Sequence, residues 1–138
     1  MASYNKFLQF TKDLVDGLHD FDAHTFKVAL TNTAPVNTNT VLANITQVAN
    51  GNGYTTGGTA TSMSTSTSSG TAKVTGTDVV FTASGGSVGP FRYAVLYNDT
   101  SASDSLLSWW DYGSSVTLAD TETFTVDFDA TNGIATFA

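Results

Sequence analysis

A run of alternating large side chains lies between residues 89 and 113. From Phe91 to Tyr97, aromatic and aliphatic residues recur at every second position, and neither face of the segment is strongly polar. This pattern predicts a central β-strand that is covered on both faces. Residues 98 to 104 favour turns, so we expect the chain to return antiparallel as the second strand of a hairpin.

The second strand of this hairpin carries two adjacent tryptophans. If the strand is regular, its large side chains divide between two faces, with Leu107 and Trp109 on one and Leu106, Trp110 and Tyr112 on the other. Aromatic residues this close together anchor a core, an interface or both. We therefore expect one tryptophan to be buried and the other to be left for an outer surface.

Residues 4 to 18 show a different period, with apolar residues three and four positions apart. The apolar positions are Tyr4, Phe7, Leu8, Leu14, Val15 and Leu18. This spacing predicts an α-helix with one apolar face, and the Ser3 hydroxyl is placed to cap its first turn. We therefore expect one short N-terminal helix within residues 1–20.

The rest of the chain predicts short strands separated by turns about every ten residues. Single strands are expected at 26–32, 79–83, 116–118 and 123–129. Residues 59–77 could be a disordered linker, but their flanks and their threonines favour a pair of edge strands, on either side of a turn at Ser69 and Gly70. A terminal hairpin is expected to turn at Asn132 and Gly133.

Two segments between strands have other signals. Residues 40–48 fit either a short helical turn or an irregular strand, and we favour the helical turn. The glycine-rich residues 50–58 favour a turn that leaves Tyr54 free to pack. Together the elements predict one all-β domain over residues 1–138. Its architecture is expected to be an antiparallel β-sandwich, jelly-roll-like, over residues 25–138, preceded by the one short α-helix.

Composition narrows the partners of such a domain. Charged residues make up 12% of the chain and the formal net charge is −7, so a nucleic-acid backbone would be repelled. The absence of cysteine excludes disulfides and thiolate metal sites. No segment approaches the roughly 20 apolar residues of a membrane helix, and the first residues lack the pattern of a signal peptide. We therefore expect no nucleic-acid partner, no membrane partner and synthesis without a signal.

The segment HDFDAH is the one candidate for a metal site. It places His19, Asp20, Asp22 and His24 at spacings that could surround a cation. A loop between a helix and a strand also collects Asp and His, and no other cluster in the sequence supplies a further ligand. We therefore interpret the segment as a loop and predict no metal and no other cofactor.

Groups that could perform catalysis are scarce. Both histidines of the chain lie in that one loop, and no G-x-S-x-G motif surrounds a nucleophilic serine. Asp111 could pair with Asp127 or Asp129 as acid and base, but strand alternation already explains the last two as a solvated face. The sequence therefore predicts a protein that is not an enzyme.

The aromatic residues of the hairpin have a second interpretation. Trp109, Trp110 and Tyr112, with Tyr93 and Tyr97 opposite, could stack on the apolar faces of sugar rings. Packing of alternate rings in the core, with the others at a subunit contact, explains the same residues. The sequence favours this packing over a lectin site.

Several motifs also occur in an order typical of one known group of proteins. From the N-terminus they are SYNKF, KVALTNTAP, ITQVANGNGYTTGG, FTASGG with GPFRYAVLYND, WWDYGSS and TFTVDFD. Together they cover nearly the whole chain and resemble a family of small structural proteins from the virions of tailed bacteriophages. In size and predicted architecture the chain is similar to capsid decoration, or cement, proteins.

The resemblance implies a non-enzymatic virion protein, made in the host cytoplasm and placed on the capsid exterior. Its expected partners are the major capsid protein, whose lattice it would stabilise, and copies of itself in a dimer or trimer. The alternative is a head-fibre or tail-associated protein that binds a carbohydrate or receptor through surface aromatics. The interface candidates are the large aromatic residues near the N-terminus and in the hairpin: Tyr4, Phe7, Trp109, Trp110 and Tyr112.

Overall fold

The computed structural model describes residues 2–138 and shows a mostly β protein, with 47% of the chain in strands and 8% in helices. In chain order the elements are β1 (Ser3–Lys6), α1 (Leu8–Val15), β2 (Phe26–Thr31), a 3-10 turn (Leu42–Asn44), β3 (Thr59–Thr61), β4 (Met63–Ser68), β5 (Thr71–Gly76), β6 (Val79–Thr82), β7 (Val88–Asn98), β8 (Ser105–Leu118), β9 (Thr123–Val126) and β10 (Ala135–Phe137). The prediction of an all-β chain with one short N-terminal helix is confirmed.

Within residues 2–138 the strands form three antiparallel sheets. The largest has the strand order β1-β8-β7-β2-β3, and the smaller ones have the orders β10-β5-β4 and β6-β9. None of these sheets closes on itself within that part of the chain. The predicted hairpin therefore forms the centre of the largest sheet, as β7 and β8.

The five-stranded sheet has a hydrophobic cluster on each face. The larger cluster joins this sheet to the two smaller ones through Phe26, Val28, Leu30, Phe91, Ala94, Leu96, Val74, Val79, Phe81 and Val126. The smaller cluster contains Phe7, Ala29, Ile45, Tyr93, Val95, Tyr97, Leu106 and Trp109, with Leu42 packed against it. β7 contributes to both clusters, so the prediction of a central strand covered on both faces is confirmed.

β8 departs from the regular alternation that its sequence predicts. Ser108 pairs with Leu96, but Leu106 pairs with Tyr97, so β8 contains one extra residue at this point. A bulge of this kind moves the side chains before it to the opposite face relative to those after it. Leu107 therefore belongs to the larger cluster and Leu106 to the smaller one, and the prediction that Leu107 shares a face with Trp109 is wrong.

The N-terminal helix is shorter than its periodicity predicts. Residues 3 to 6 form β1, and the helix begins only at Leu8 after Phe7, which caps it without a side-chain hydrogen bond. Ser3 is therefore not the N-cap, and Tyr4 and Phe7 do not lie on the helix. The physical reason is that the edge of β8 offers backbone partners to this segment, from Ser3 opposite Asp111 to Lys6 opposite Ser108.

The strand pair predicted within 59–77 is confirmed, since β4 and β5 meet at Ser69 and Gly70. β5 is not an edge strand, however, because β10 pairs with its other side. The prediction of a terminal hairpin is wrong, because β9 and β10 do not pair with each other. β9 pairs with β6, and β10 pairs with β5 in the other small sheet. The predicted strand at 116–118 is the end of β8.

The glycine-rich turn also forms as predicted, and Tyr54 within it is buried. Gly58 lies here at φ +78, and a Cβ atom at this position would lie 1.8 Å from the backbone oxygen of Val28. Only glycine permits both this conformation and this close approach. The turn is therefore held directly against the central sheet.

Candidate interaction site

The predicted interface residues lie in two separate places. Tyr4, Trp110 and Tyr112 line one cleft at the edge of the five-stranded sheet. Phe7 and Trp109 are packed together in the smaller cluster on the opposite face, with their ring centroids 4.5 Å apart. Phe7 is fully buried and Trp109 is 8% exposed, so the surface accessible to a partner belongs to the first group.

The aromatic cleft, as we call the site lined by Tyr4, Trp110 and Tyr112, has a volume of about 480 Å³. Its opposite wall comes from residues 125–129 and from the loop that precedes β10. Tyr4 is 45% exposed, and its ring meets that of Trp110 edge-on at 5.6 Å. Trp110 also contacts Phe128, with ring centroids 5.4 Å apart, so its ring packs against two other rings.

The register of the strands explains why these side chains meet. Tyr4 on the edge strand β1 lies directly opposite Trp110 on β8, and Tyr112 follows two positions later on the same face. This face points towards the larger cluster, against which Trp110 and Tyr112 are partly buried. Because β1 is the edge of the sheet, the rings there keep part of their surface in contact with solvent.

Two carboxylates lie among the lining residues, Asp127 and Asp129. Asp129 accepts hydrogen bonds from the backbone N–H of Asn132 at 2.9 Å, from the side-chain amide of Asn132 at 2.7 Å and from the backbone N–H of Thr131 at 2.8 Å. These bonds hold its pKa below the usual range. Asp127 belongs to none of the ion pairs in residues 2–138. Its carboxylate is therefore the charge in the cleft that is free to meet a ligand.

The tyrosine hydroxyls of the cleft are held in their neutral form. Burial, with a smaller contribution from the charge of Asp127, raises the pKa of Tyr112 to about 12. Burial also raises the pKa of Tyr4. The described lining includes no lysine or arginine, so the cleft combines neutral rings with negative charge.

The acid and base pair considered from the sequence does not form. Asp111 lies outside the cleft lining and binds Arg92 in a bidentate ion pair, with N–O distances of 2.8 and 3.1 Å. The hydrogen bonds from Arg92, followed by one from the backbone of Gly113, lower the pKa of Asp111. The Asp111 carboxylate therefore forms a structural ion pair with Arg92 and does not pair with Asp127 or Asp129.

The loop that contains His19 and His24 is organised by Asn98, which the sequence predicts only as part of a turn. The buried side-chain amide of Asn98 lies 3.0 Å from Nδ1 of both His19 and His24. Nε2 of His19 is buried and has no hydrogen-bond partner in the described chain, and burial lowers the pKa of His19. The signal for this role of Asn98 was its position directly after the uncharged run from Tyr93 to Tyr97.

The two aspartates of that loop point to other partners. Asp20 accepts hydrogen bonds from the backbone of its own loop, and Asp22 accepts two from Thr65 on β4. Across residues 2–138, no group of three or more His, Cys, Asp or Glu side chains is placed to hold a metal ion. Among those same residues, no helix has the length and apolar character needed to cross a membrane.

The chain matches no protein-family model, no curated protein and no solved structure. The aromatic cleft and the sequence motifs are therefore the features from which a function can be proposed.

Proposed function

We propose that this protein is a non-enzymatic structural component of a tailed-phage virion, a decoration protein that binds the outer head and stabilises the major capsid lattice. The observation that carries the proposal is the aromatic cleft, which presents Tyr4, Trp110 and Tyr112 at an exposed sheet edge. Large rings dominate the binding energy of protein interfaces. Their exposure on a small domain with few charges supports attachment to another protein.

The proposed architecture is a β-sandwich of jelly-roll type. Support comes from the larger cluster, in which the two smaller sheets share apolar side chains with one face of the five-stranded sheet. A sandwich of this kind gives a rigid body whose edges and loops are available for contact. Such a body suits a protein that bridges neighbouring capsid subunits.

The mechanism of stabilisation is mass action. A protein that binds the assembled lattice but not its separated subunits lowers the free energy of the assembled state. No bond is made or broken, which agrees with the separation of Asp111 from the cleft and with the engagement of both histidines by Asn98. The same surface chemistry supports self-association as a dimer or trimer on the capsid exterior.

The proposal is tested by adding purified protein to capsids that lack it and measuring the melting temperature of the particles. We expect wild-type protein to raise it and Tyr4→Ala to raise it less, since Tyr4 is exposed and its loss spares the core. Val15→Ala is the matched control, because Val15 is 81% exposed and lies outside the cleft. Failure of wild-type protein to bind the capsids would overturn the proposal, as would binding to tails alone.

A head-fibre or tail-associated protein that binds carbohydrate is the second candidate. It is favoured by the same rings, because an aromatic surface beside a free carboxylate can stack on a sugar ring and accept hydrogen bonds from its hydroxyls. Glycan-array binding that Tyr4→Ala abolishes and Val15→Ala preserves would support this candidate. Imaging of the virion distinguishes the two, since a lattice protein is present in hundreds of copies and a tail protein in few.

A further inference from the structure

The aromatic cleft has a chemical character that specifies its occupant more closely than attachment alone. We infer that it accepts the cationic side chain of an arginine or lysine presented by the protein to which this domain docks. The inference rests on the proposed attachment function, because it names the group that the docking partner would insert. Three features of the cleft carry it: its charge, its aromatic walls and its size.

Charge is the first feature. The lining contains Asp127 and Asp129 but no lysine or arginine among the described residues, and the whole chain carries a formal charge of −7. Asp129 is occupied by the amides of its own turn, whereas Asp127 is outside every ion pair of residues 2–138. A phosphate, a sulfate or an acidic sugar would be repelled here, and a cation would be attracted.

The walls are the second feature. Cations bind to the faces of aromatic rings through the ring quadrupole, and tryptophan is the best of these rings. Trp110 contacts the rings of Tyr4 and Phe128, and Tyr112 is two positions along the same strand. The arrangement places several rings and one free carboxylate around a single space, which is how proteins recognise ammonium and guanidinium groups.

Size is the third feature. The cleft volume of about 480 Å³ falls within the roughly 300–1,000 Å³ of ordinary ligand pockets, so one long side chain and part of its backbone can enter. Its position at the edge strand β1 leaves it open to a loop from another molecule. A basic loop on a neighbouring surface therefore matches the cleft in both charge and shape.

The test uses the full chain and the short peptide acetyl-Gly-Arg-Gly-amide, with acetyl-Gly-norleucine-Gly-amide as the uncharged control. Binding is followed by NMR through the indole N–H signals. The chain has only two tryptophans, and Trp109→Phe assigns them. We expect the arginine peptide to shift the Trp110 signal but not that of Trp109, which is buried on the other face of the sheet. Added salt should weaken the effect.

The matched variants are Asp127→Asn and Asp16→Asn, which remove the same charge inside and outside the cleft. Asp16 is an exposed residue directly after α1 and is paired with Lys12, so loss of its charge changes little. We expect Asp127→Asn to weaken peptide binding by about tenfold and Asp16→Asn to leave it unchanged. Equal binding of the norleucine peptide would overturn the inference, as would an unchanged affinity of Asp127→Asn, or shifts of Trp110 produced by neutral sugars but not by the arginine peptide.

The peptide experiment and the capsid experiment test the cationic occupant and the proposed function independently. If the protein stabilises capsids but its cleft ignores the arginine peptide, only the cationic occupant is wrong. If the protein binds no capsid, the proposed function is wrong whatever the peptide does.

Discussion

Trp109 and Trp110 are neighbours in the chain, but they lie on opposite faces of the central sheet and have different partners. Trp109 packs on Phe7 in the smaller cluster, with ring centroids 4.5 Å apart, and is 8% exposed. Trp110 contacts Tyr4 and Phe128 and lines the aromatic cleft. One tryptophan is therefore part of the core, and the other is available to a partner.

This difference predicts opposite effects of truncating the two rings. Trp109→Ala should lower the free energy of unfolding by about 3–5 kcal/mol, because it leaves a cavity in a packed cluster. Trp110→Ala should lower it less, since that ring is only partly buried. Urea unfolding followed by circular dichroism measures both. Equal losses for the two variants would contradict the division of roles described above.

Acidification should destabilise the protein through His19. Burial lowers the pKa of His19 below its usual 6.5, an effect that His24 reinforces and Asp13 partly offsets. The unfolded chain therefore binds this proton more readily, so the free energy of unfolding should fall as the pH drops below about 6.5, until the lowered pKa of the folded state is passed.

The measurement is urea unfolding between pH 5 and 8, with His19→Phe as the comparison. The ring centroid of His19 lies within 6.3 Å of those of Phe10, Phe21 and Phe26, so a phenylalanine suits its surroundings. We expect the variant to show a smaller dependence on pH than the wild type. A wild-type stability that is constant or rises on acidification in this range would show that His19 does not act in this way.

Asp22 should protect the edge of β4 against pairing with other molecules. Its carboxylate accepts hydrogen bonds from the backbone N–H of Thr65 at 3.0 Å and from its hydroxyl at 2.6 Å. An uncharged edge strand with a free N–H group is a template for a foreign strand. Asp22→Ala should therefore self-associate at concentrations where wild-type protein and Asp16→Asn do not, as sedimentation velocity would show. Identical sedimentation of all three would rule out this protective role.

Gly58 and Gly70 form a matched pair for testing the close approach at the glycine-rich turn. Both have a positive φ, +78 and +80, but a Cβ atom at Gly70 would meet nothing within 4 Å. Gly70→Ala should cost about 1 kcal/mol from its backbone conformation alone. Gly58→Ala adds a clash with the backbone of Val28 and should cost more than about 4 kcal/mol, or prevent folding. Thermal unfolding compares them, and equal melting temperatures would contradict the packing described.

The sequence by itself determined the mostly β fold with one short N-terminal helix, the central hairpin and the opposite placement of the two tryptophans. These follow from period-two alternation and turn-forming residues, which act over a few positions and need no knowledge of distant partners. The same local signals predicted the turn at Ser69 and Gly70 and the burial of Tyr54. For each of these features the local signal agrees with the structure.

Only the tertiary structure decided which distant strands pair and where the aromatic cleft forms. Residues 3–6 have helical spacing but form a strand, because β8 offers its edge to them. The bulge in β8 exchanges the faces of Leu106 and Leu107, and β9 and β10 pair with strands more than forty residues away. The aromatic cleft depends on these long-range pairings, since Tyr4 reaches Trp110 across a separation of more than a hundred residues. No local pattern encodes which distant strand will form hydrogen bonds with an unpaired strand edge. The aromatic cleft exists because these distant strands pair.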